Sequence, residues 1–202
     1  MTVKILAPMI LCCAAAHAAS VIDFDFDSDA LGTSTTFTDT ADGVSATFSS
    51  SADPGGFVVF PTMFETLTGN VLGDPGPASA SNIALDVSFS RNLSAITLDF
   101  ATADFVTPSP FTITAYENSK LVGSGTSTGE FLPGFTFPEG EITFEGGNFN
   151  NIVLSTPSPD FAVDNIQVLT AAAPEPGTLT LFAAGLLLSG IGAVRRRRSS
   201  RS

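Results

Sequence analysis

Four aspartates at alternate positions near the start of the chain form the densest group of potential ligands in the sequence. Asp23, Asp25, Asp27 and Asp29 occur in the stretch VIDFDFDSDA, residues 21–30. If this stretch is extended, the four carboxylates share one face and the apolar residues between them share the other. Carboxylates this close repel one another, and a hard cation with oxygen ligands, above all Ca²⁺, would relieve the repulsion. The alternative is an edge strand that shows charge to water and so avoids pairing with other chains.

A further aspartate, Asp164, interrupts the apolar run FAVDNIQVL at residues 161–169. On strict alternation Asp164 shares a face with Ile166 and Val168. We therefore expect a buried carboxyl group, which needs hydrogen bonds or a metal ion. A Ca²⁺ that bridges the first and last strands would stabilise the fold, and its predicted ligands are Asp23, Asp25, Asp27 and Asp164. The alternative is an aspartate that accepts backbone N–H bonds at a bulge or turn.

Catalytic side chains are scarce in the rest of the chain. The only histidine, His17, and both cysteines, Cys12 and Cys13, precede residue 20. Residues 20–172 therefore lack Ser-His-Asp and Cys-His machinery, disulfides and a His/Cys zinc site. Two carboxylates can still hydrolyse a glycosidic bond, but the chain has no tryptophan and a single tyrosine, Tyr116, to line sugar subsites. We expect a protein that is not an enzyme, with a carboxylate-pair hydrolase as the weakest alternative.

The charge of residues 20–172 also limits the partners. This part of the chain holds 19 acidic residues and two basic ones, Arg91 and Lys120. No basic patch is present to neutralise phosphates, so we expect no nucleic-acid partner. Strong acidity favours solubility outside the cell and weak binding of divalent cations.

Short runs of alternating apolar and polar residues predict the elements that position these side chains. The clearest runs are IALDVSF (83–89), AITLDFA (95–101), FTITAY (111–116), EITF (141–144), NIVLS (151–155) and FAVDNIQVL (161–169). Each run has one buried and one solvated face, and Gly/Pro/Asn/Asp clusters such as EGGN (145–148) separate the runs. The pattern predicts an all-β protein, an antiparallel β-sandwich or jelly roll of roughly ten short strands, with a barrel as the alternative.

Both ends of the chain carry patterns typical of targeting segments. Residues 1–19 combine Lys4, an apolar core and the small-x-small sequence AHA, which predicts a secretory signal peptide. The β-sandwich domain is predicted over 20–172, and a third segment covers 173–202. That segment contains Pro-Glu-Pro-Gly at 174–177, a predicted transmembrane helix at 178–194 and an arginine-rich cytoplasmic tail at 195–202.

The third segment resembles a PEP-CTERM sorting signal, a type of tail also named after the C-terminal domain of ice-binding proteins. The matching residues are Pro174, Glu175, Pro176, Arg195, Arg196, Arg197 and Arg198. The resemblance implies recognition by a membrane sorting enzyme, the exosortase, and processing near the Pro-Glu-Pro. It also implies export through the inner membrane of a Gram-negative bacterium to the cell surface or extracellular matrix, often in connection with exopolysaccharide and biofilm.

These patterns together predict a non-catalytic component of the cell surface or extracellular matrix, sorted by an exosortase and associated with exopolysaccharide. The alternative is a carbohydrate-binding, lectin-like module that calcium stabilises.

Overall fold

Antiparallel β-strands form wherever apolar and polar residues alternate in the part of the chain that the computed structural model describes, residues 21–51, 56–74 and 83–171. The strands are β1 (Val21–Phe24), β2 (Phe37–Ala41), β3 (Val44–Ser49), β4 (Val58–Pro61), β5 (Asn70–Gly73), β6 (Ala84–Thr102), β7 (Pro110–Glu117), β8 (Lys120–Thr128), β9 (Glu130–Phe131), β10 (Pro138–Ser155) and β11 (Phe161–Thr170). The all-β prediction is confirmed. Within these ranges no helix is long and apolar enough to cross a membrane.

Two long strands, β6 and β10, build a sandwich because each contributes to both layers. The first half of β6 pairs with β3 and its second half pairs with β11. The second half of β10 pairs with β7, and its first half pairs with β9. One layer therefore holds β2, β3, β7 and β8, and the other holds β1, β4, β5, β9 and β11, with β6 and β10 continuous between them.

The length of these two strands differs from the prediction of short strands. The runs at 83–89 and 95–101, predicted as separate strands, both fall in β6, which begins at Ala84, and residues 141–144 and 151–155 belong to β10. The predicted turn at 145–148 is an irregularity inside β10, where the register with β6 shifts between Glu145 and Phe149. Gly146 and Gly147 adopt φ values of 139° and 64° there. Glycine tolerates such values, so the strand bends without leaving its partner.

Phenylalanine side chains fill the space between the layers. Phe100 of β6 stacks on Phe111 of β7, with ring centroids 4.4 Å apart and an angle of 6° between the ring planes. The ring of Phe24 in β1 packs against that of Phe89 in β6, with the ring centroids 6.2 Å apart. These rings come from opposite layers and are buried, so the core joins the two layers by aromatic packing.

A loop between β4 and β5 covers part of the outer face of the second layer. This segment, residues 62–69, is called the 62–69 loop below. Its Leu67 is fully buried and forms a small second apolar cluster with Val71, Ala101 and Ala162. An otherwise exposed patch of β6 and β11 is therefore shielded from water, and this loop becomes part of the candidate site.

Several predicted segments lie outside the described residues. They include the signal peptide at 1–19, the transmembrane helix at 178–194 and the arginine-rich tail at 195–202. Residue 171 is the last described residue and also the last residue of the first of the two units into which the chain divides. The fold described above belongs to the first unit.

Candidate functional site

A pocket with phenylalanine side chains opens beside the 62–69 loop, and we call it the phenylalanine pocket. Its volume is about 180 Å³. Its main lining side chains are Phe60, Met63, Phe64, Phe137 and Phe161, with Asp74, Thr102 and Asp160 as the polar members. An apolar concavity with a few polar groups is the usual form of a small-molecule site.

Apolar side chains continue from the pocket onto the surface. Phe105 and Val106 are 69% and 87% exposed, and Met63 is also exposed. The Phe105 ring lies 5.5 Å from that of Phe137, which in turn lies 5.9 Å from that of Phe64. The rings of Phe64, Phe137 and Phe105 therefore form a connected aromatic surface beside the pocket.

The buried carboxylate of Glu139 fixes the 62–69 loop. Glu139 lies on β10 and is only 3% exposed. Its Oε2 accepts hydrogen bonds from the Thr66 N–H at 2.7 Å, the Thr66 hydroxyl at 2.7 Å and the Glu65 N–H at 3.0 Å, and its Oε1 accepts from the Glu65 N–H at 2.9 Å. Hydrogen bonds to an ionised acceptor are among the strong ones in proteins. They hold the loop that carries Met63 and Phe64.

A second carboxylate fixes the loop that carries Phe105 and Val106. Asp104 Oδ2 accepts hydrogen bonds from the Thr102 hydroxyl at 2.7 Å and the Ser109 N–H at 2.8 Å, and Oδ1 accepts from the Ser109 hydroxyl at 2.9 Å. Both loops beside the pocket are therefore tied by side chains whose hydrogen bonds are made before any ligand arrives. Preorganisation of this kind lowers the entropic cost of binding.

The structure places the four alternating aspartates, residues 23, 25, 27 and 29, in different surroundings. Strand β1 ends at Phe24, and the chain then turns, with Asp25 Oδ1 accepting the Asp27 N–H at 3.2 Å. Asp23 and Asp25 are exposed, and the pKa of Asp23 is raised by partial burial and by the charge of Asp25. The pKa of Asp29 is raised by partial burial and by the charges of Asp39 and Asp25. Asp27 lies apart from this group, with Oδ1 accepting the Asn70 N–H at 2.7 Å.

Asp164 is buried, but not on the face that strict alternation predicts. It pairs with Asp99 and precedes a register shift between Asp164 and Gln167, where Asn165 adopts a φ of 50°. The extra residue of this bulge reverses the alternation. Asp164 consequently lies on the outer face of the layer beneath the 62–69 loop, whereas Ile166 and Val168 face the main core.

The surroundings of Asp164 disfavour its ionised form. The pKa of this carboxyl group is raised to about 7: burial is the main cause and the charges of Asp27 and Asp99 add to it, whereas the backbone N–H groups of Asn165 and Thr68 act to lower it. The Thr68 N–H donates to Oδ2 at 3.0 Å. The structure thus brings Asp27 and Asp164 to the same loop end, and Asp23 and Asp25 are not among the charges that act on Asp164. Among the described residues, no group of three or more His, Cys, Asp or Glu side chains converges as a metal site.

The residues of the phenylalanine pocket are not predicted by the sequence analysis. They come from five separate segments, and each phenylalanine resembles core material on its own. One signal was available: Phe105 and Val106 lie in ADFVTPSP, residues 103–110, where a large apolar pair interrupts turn-forming residues.

Comparison with solved structures supports the sandwich fold. The K2 cleaved adhesin domain of Lys-gingipain superposes with a TM-score of 0.51 at 11% identity, over 75% of this chain and 99% of that domain. Two carbohydrate-binding modules give lower scores. A family 11 module from Clostridium thermocellum has a TM-score of 0.39 at 14% identity, over 78% of this chain and 99% of the module. The C-terminal module of a laminarinase from Zobellia galactanivorans has a TM-score of 0.37 at 10% identity, over 75% of this chain and 100% of the module.

The remaining comparisons concern the sequence itself. No curated protein matches it. The family model of the PEP-CTERM protein-sorting motif matches residues 172–198, the segment that contains Pro174, Glu175, Pro176 and the four consecutive arginines. The predicted resemblance is therefore confirmed, and the chain carries a PEP-CTERM protein-sorting motif.

Proposed function

We propose that this protein is an exported, non-catalytic component of the bacterial cell surface or extracellular matrix that binds a neutral polysaccharide through its phenylalanine pocket. The sorting motif at 172–198 supports export toward the cell envelope and processing by an exosortase. The phenylalanine pocket is the observation that carries the binding role. Together, the sorting motif and the phenylalanine pocket support a role in an exopolysaccharide or biofilm matrix at the cell surface.

The chemistry of the pocket suits a sugar chain. A pyranose ring has apolar C–H faces and a rim of hydroxyl groups, so it needs apolar surface and a few hydrogen-bond acceptors. The rings of Phe64, Phe105 and Phe137 offer the apolar surface. Asp74, Thr102 and Asp160 are the polar residues among those that line the same pocket, and hydroxyl and carboxylate groups can accept hydrogen bonds from sugar hydroxyls.

The charge of the domain favours a neutral polysaccharide over an acidic one. Residues 20–172 hold 19 acidic side chains against two basic ones, and like charge raises the free energy of association. The same residues contain neither histidine nor cysteine, which supports binding without turnover. A protein partner for the aromatic surface would leave every polysaccharide unbound in the experiment below.

Binding of the full chain to an array of neutral and acidic polysaccharides tests this proposal, with release of reducing sugar measured in parallel. We expect saturable binding to a neutral polysaccharide and no release of reducing sugar. Phe105→Ala and Phe64→Ala each remove apolar contact area, and we expect each to weaken binding about tenfold or more. Leu121→Ala is the matched control, since Leu121 is 60% exposed but lies on β8, away from the pocket residues. Equal loss with Leu121→Ala, no binding to any polysaccharide, or release of reducing sugar would contradict the proposal.

A further inference from the structure

One oxygen of the buried Asp164 carboxyl group has no hydrogen-bond partner. Asp164 is only 1% exposed. Its Oδ2 accepts the Thr68 N–H at 3.0 Å, whereas Oδ1 is buried and unpartnered. An ionised Oδ1 needs a donor and a protonated one needs an acceptor, and among the described residues no group forms a hydrogen bond with Oδ1, although the backbone N–H of Asn165 lies near the carboxyl group. A buried polar atom without a partner is costly in either protonation state, so the site is incomplete without a further group.

A second carboxylate lies beside the same short segment of backbone. Asp27 Oδ1 accepts the Asn70 N–H at 2.7 Å, two residues after the N–H that Asp164 binds. Asp27 and Asp164 therefore flank Gly69 at the end of the 62–69 loop. Asp27 is also one of the two charges that act on Asp164. Two carboxylates, one of them with an unused buried oxygen, are suitable ligands for a cation.

We infer that Asp27 and Asp164 bind a Ca²⁺ ion, which joins the segment that follows β1 to strand β11 beside the 62–69 loop. Calcium accepts six to eight oxygen ligands in flexible geometry, so main-chain oxygens or water complete the coordination by the two carboxylates. Magnesium requires near-ideal octahedral geometry and retains most of its water. Zinc prefers nitrogen and sulfur ligands, and residues 20–172 contain no histidine or cysteine. This inference is independent of the bound polysaccharide.

The aspartates next to Asp27 provide the internal control. Asp23 and Asp25 belong to the same acidic stretch and are exposed, and neither is among the charges that act on Asp164. A diffuse attraction of cations to acidic surface would depend on Asp23 and Asp25 as much as on Asp27. A site built on Asp27 and Asp164 would not.

Equilibrium dialysis of the full chain against ⁴⁵Ca²⁺ in chelator-treated buffer, combined with thermal unfolding, tests the inference. We expect one saturable ion per chain with a Kd of about 10⁻⁴–10⁻³ M, the range of extracellular calcium modules. We expect 10 mM Ca²⁺ to raise the unfolding temperature by roughly 3–10 °C over EDTA, and 10 mM Mg²⁺ to raise it less.

The variants distinguish a built site from other outcomes. Asp164→Asn should abolish the saturable binding. Asp27→Asn keeps a side-chain oxygen that can accept the Asn70 N–H, and this variant should weaken the binding at least tenfold. Asp23→Asn and Asp25→Asn should leave it unchanged. Absence of saturable calcium binding, which would indicate that water completes the site, overturns the inference. So does a loss with Asp23→Asn or Asp25→Asn as large as the loss with Asp27→Asn.

Discussion

Replacement of Glu139 by alanine should destabilise the sandwich by about 2–4 kcal/mol. The Glu139 side chain accepts hydrogen bonds from three donors of the 62–69 loop, the N–H groups of Glu65 and Thr66 and the Thr66 hydroxyl. A hydrogen bond to a charged group contributes about 1.5–3 kcal/mol net. Because Glu65 and Thr66 are exposed, their freed donors regain part of this energy from water, and the expected loss is therefore smaller than the sum of three such bonds.

Urea unfolding at equilibrium, followed by circular dichroism, measures the change. Glu141→Ala is the matched control, because Glu141 lies two residues along the same strand and is exposed. We expect this control to stay within about 0.5 kcal/mol of the wild type. Amide hydrogen exchange supplies a second readout, since the Glu65 and Thr66 amides should lose protection in Glu139→Ala only. If Glu139→Ala is no less stable than Glu141→Ala, the reasoning that Glu139 anchors the loop is refuted.

Three further predictions follow from other contacts. Gly69→Ala should lower the free energy of unfolding by about 2 kcal/mol, because Gly69 has a φ of 67° and a Cβ there would overlap the Asp27 carboxylate. Gly32→Ala is the control, since Gly32 has a φ of 83° but open space around it. We expect this control to lose only about 1 kcal/mol in the same unfolding assay. Phe111→Ala should cost about 3–5 kcal/mol through loss of the stacked contact with Phe100, and an unchanged denaturation midpoint would contradict this. Asp104→Ala should weaken polysaccharide binding several-fold, because the hydrogen bonds of Asp104 fix a surface loop beside the pocket. The free energy of unfolding should fall by only about 1–2 kcal/mol. Calorimetric titration and urea unfolding measure the two effects, and unchanged binding together with a large loss of stability would contradict the prediction.

The fold class is predictable because period-2 alternation is a local property of the sequence. The runs that become β6, β7, β10 and β11 all show it. The continuity of β6 and β10 is not predictable in this way. Glycine and polar residues occur both in turns and in bulges, and only the partner strand determines which of the two forms. At Gly146 and Gly147, β6 remains paired on both sides of the irregularity, so the chain forms a bulge.

The burial of Glu139 shows why the candidate site could not be predicted from the sequence alone. In PEGEITF, Glu139 and Glu141 have the same parity, and both are typical of a solvated face. Glu139 is nevertheless buried, because the 62–69 loop folds over that part of the outer face. Alternation identifies a face but carries no information about a distant loop that covers it. The phenylalanine pocket is unpredictable for the same reason, since long-range packing alone brings its segments together.

Chemical-shift mapping by NMR shows whether a neutral polysaccharide binds at the phenylalanine pocket. An oligosaccharide from the bound polysaccharide is titrated into the isotopically labelled full chain. Our account predicts that the perturbed amides cluster in the 62–69 loop, in residues 103–109 and around Phe137, with β7 and β8 unaffected. Shifts confined to β7 and β8, or no shifts at saturating oligosaccharide, would contradict it.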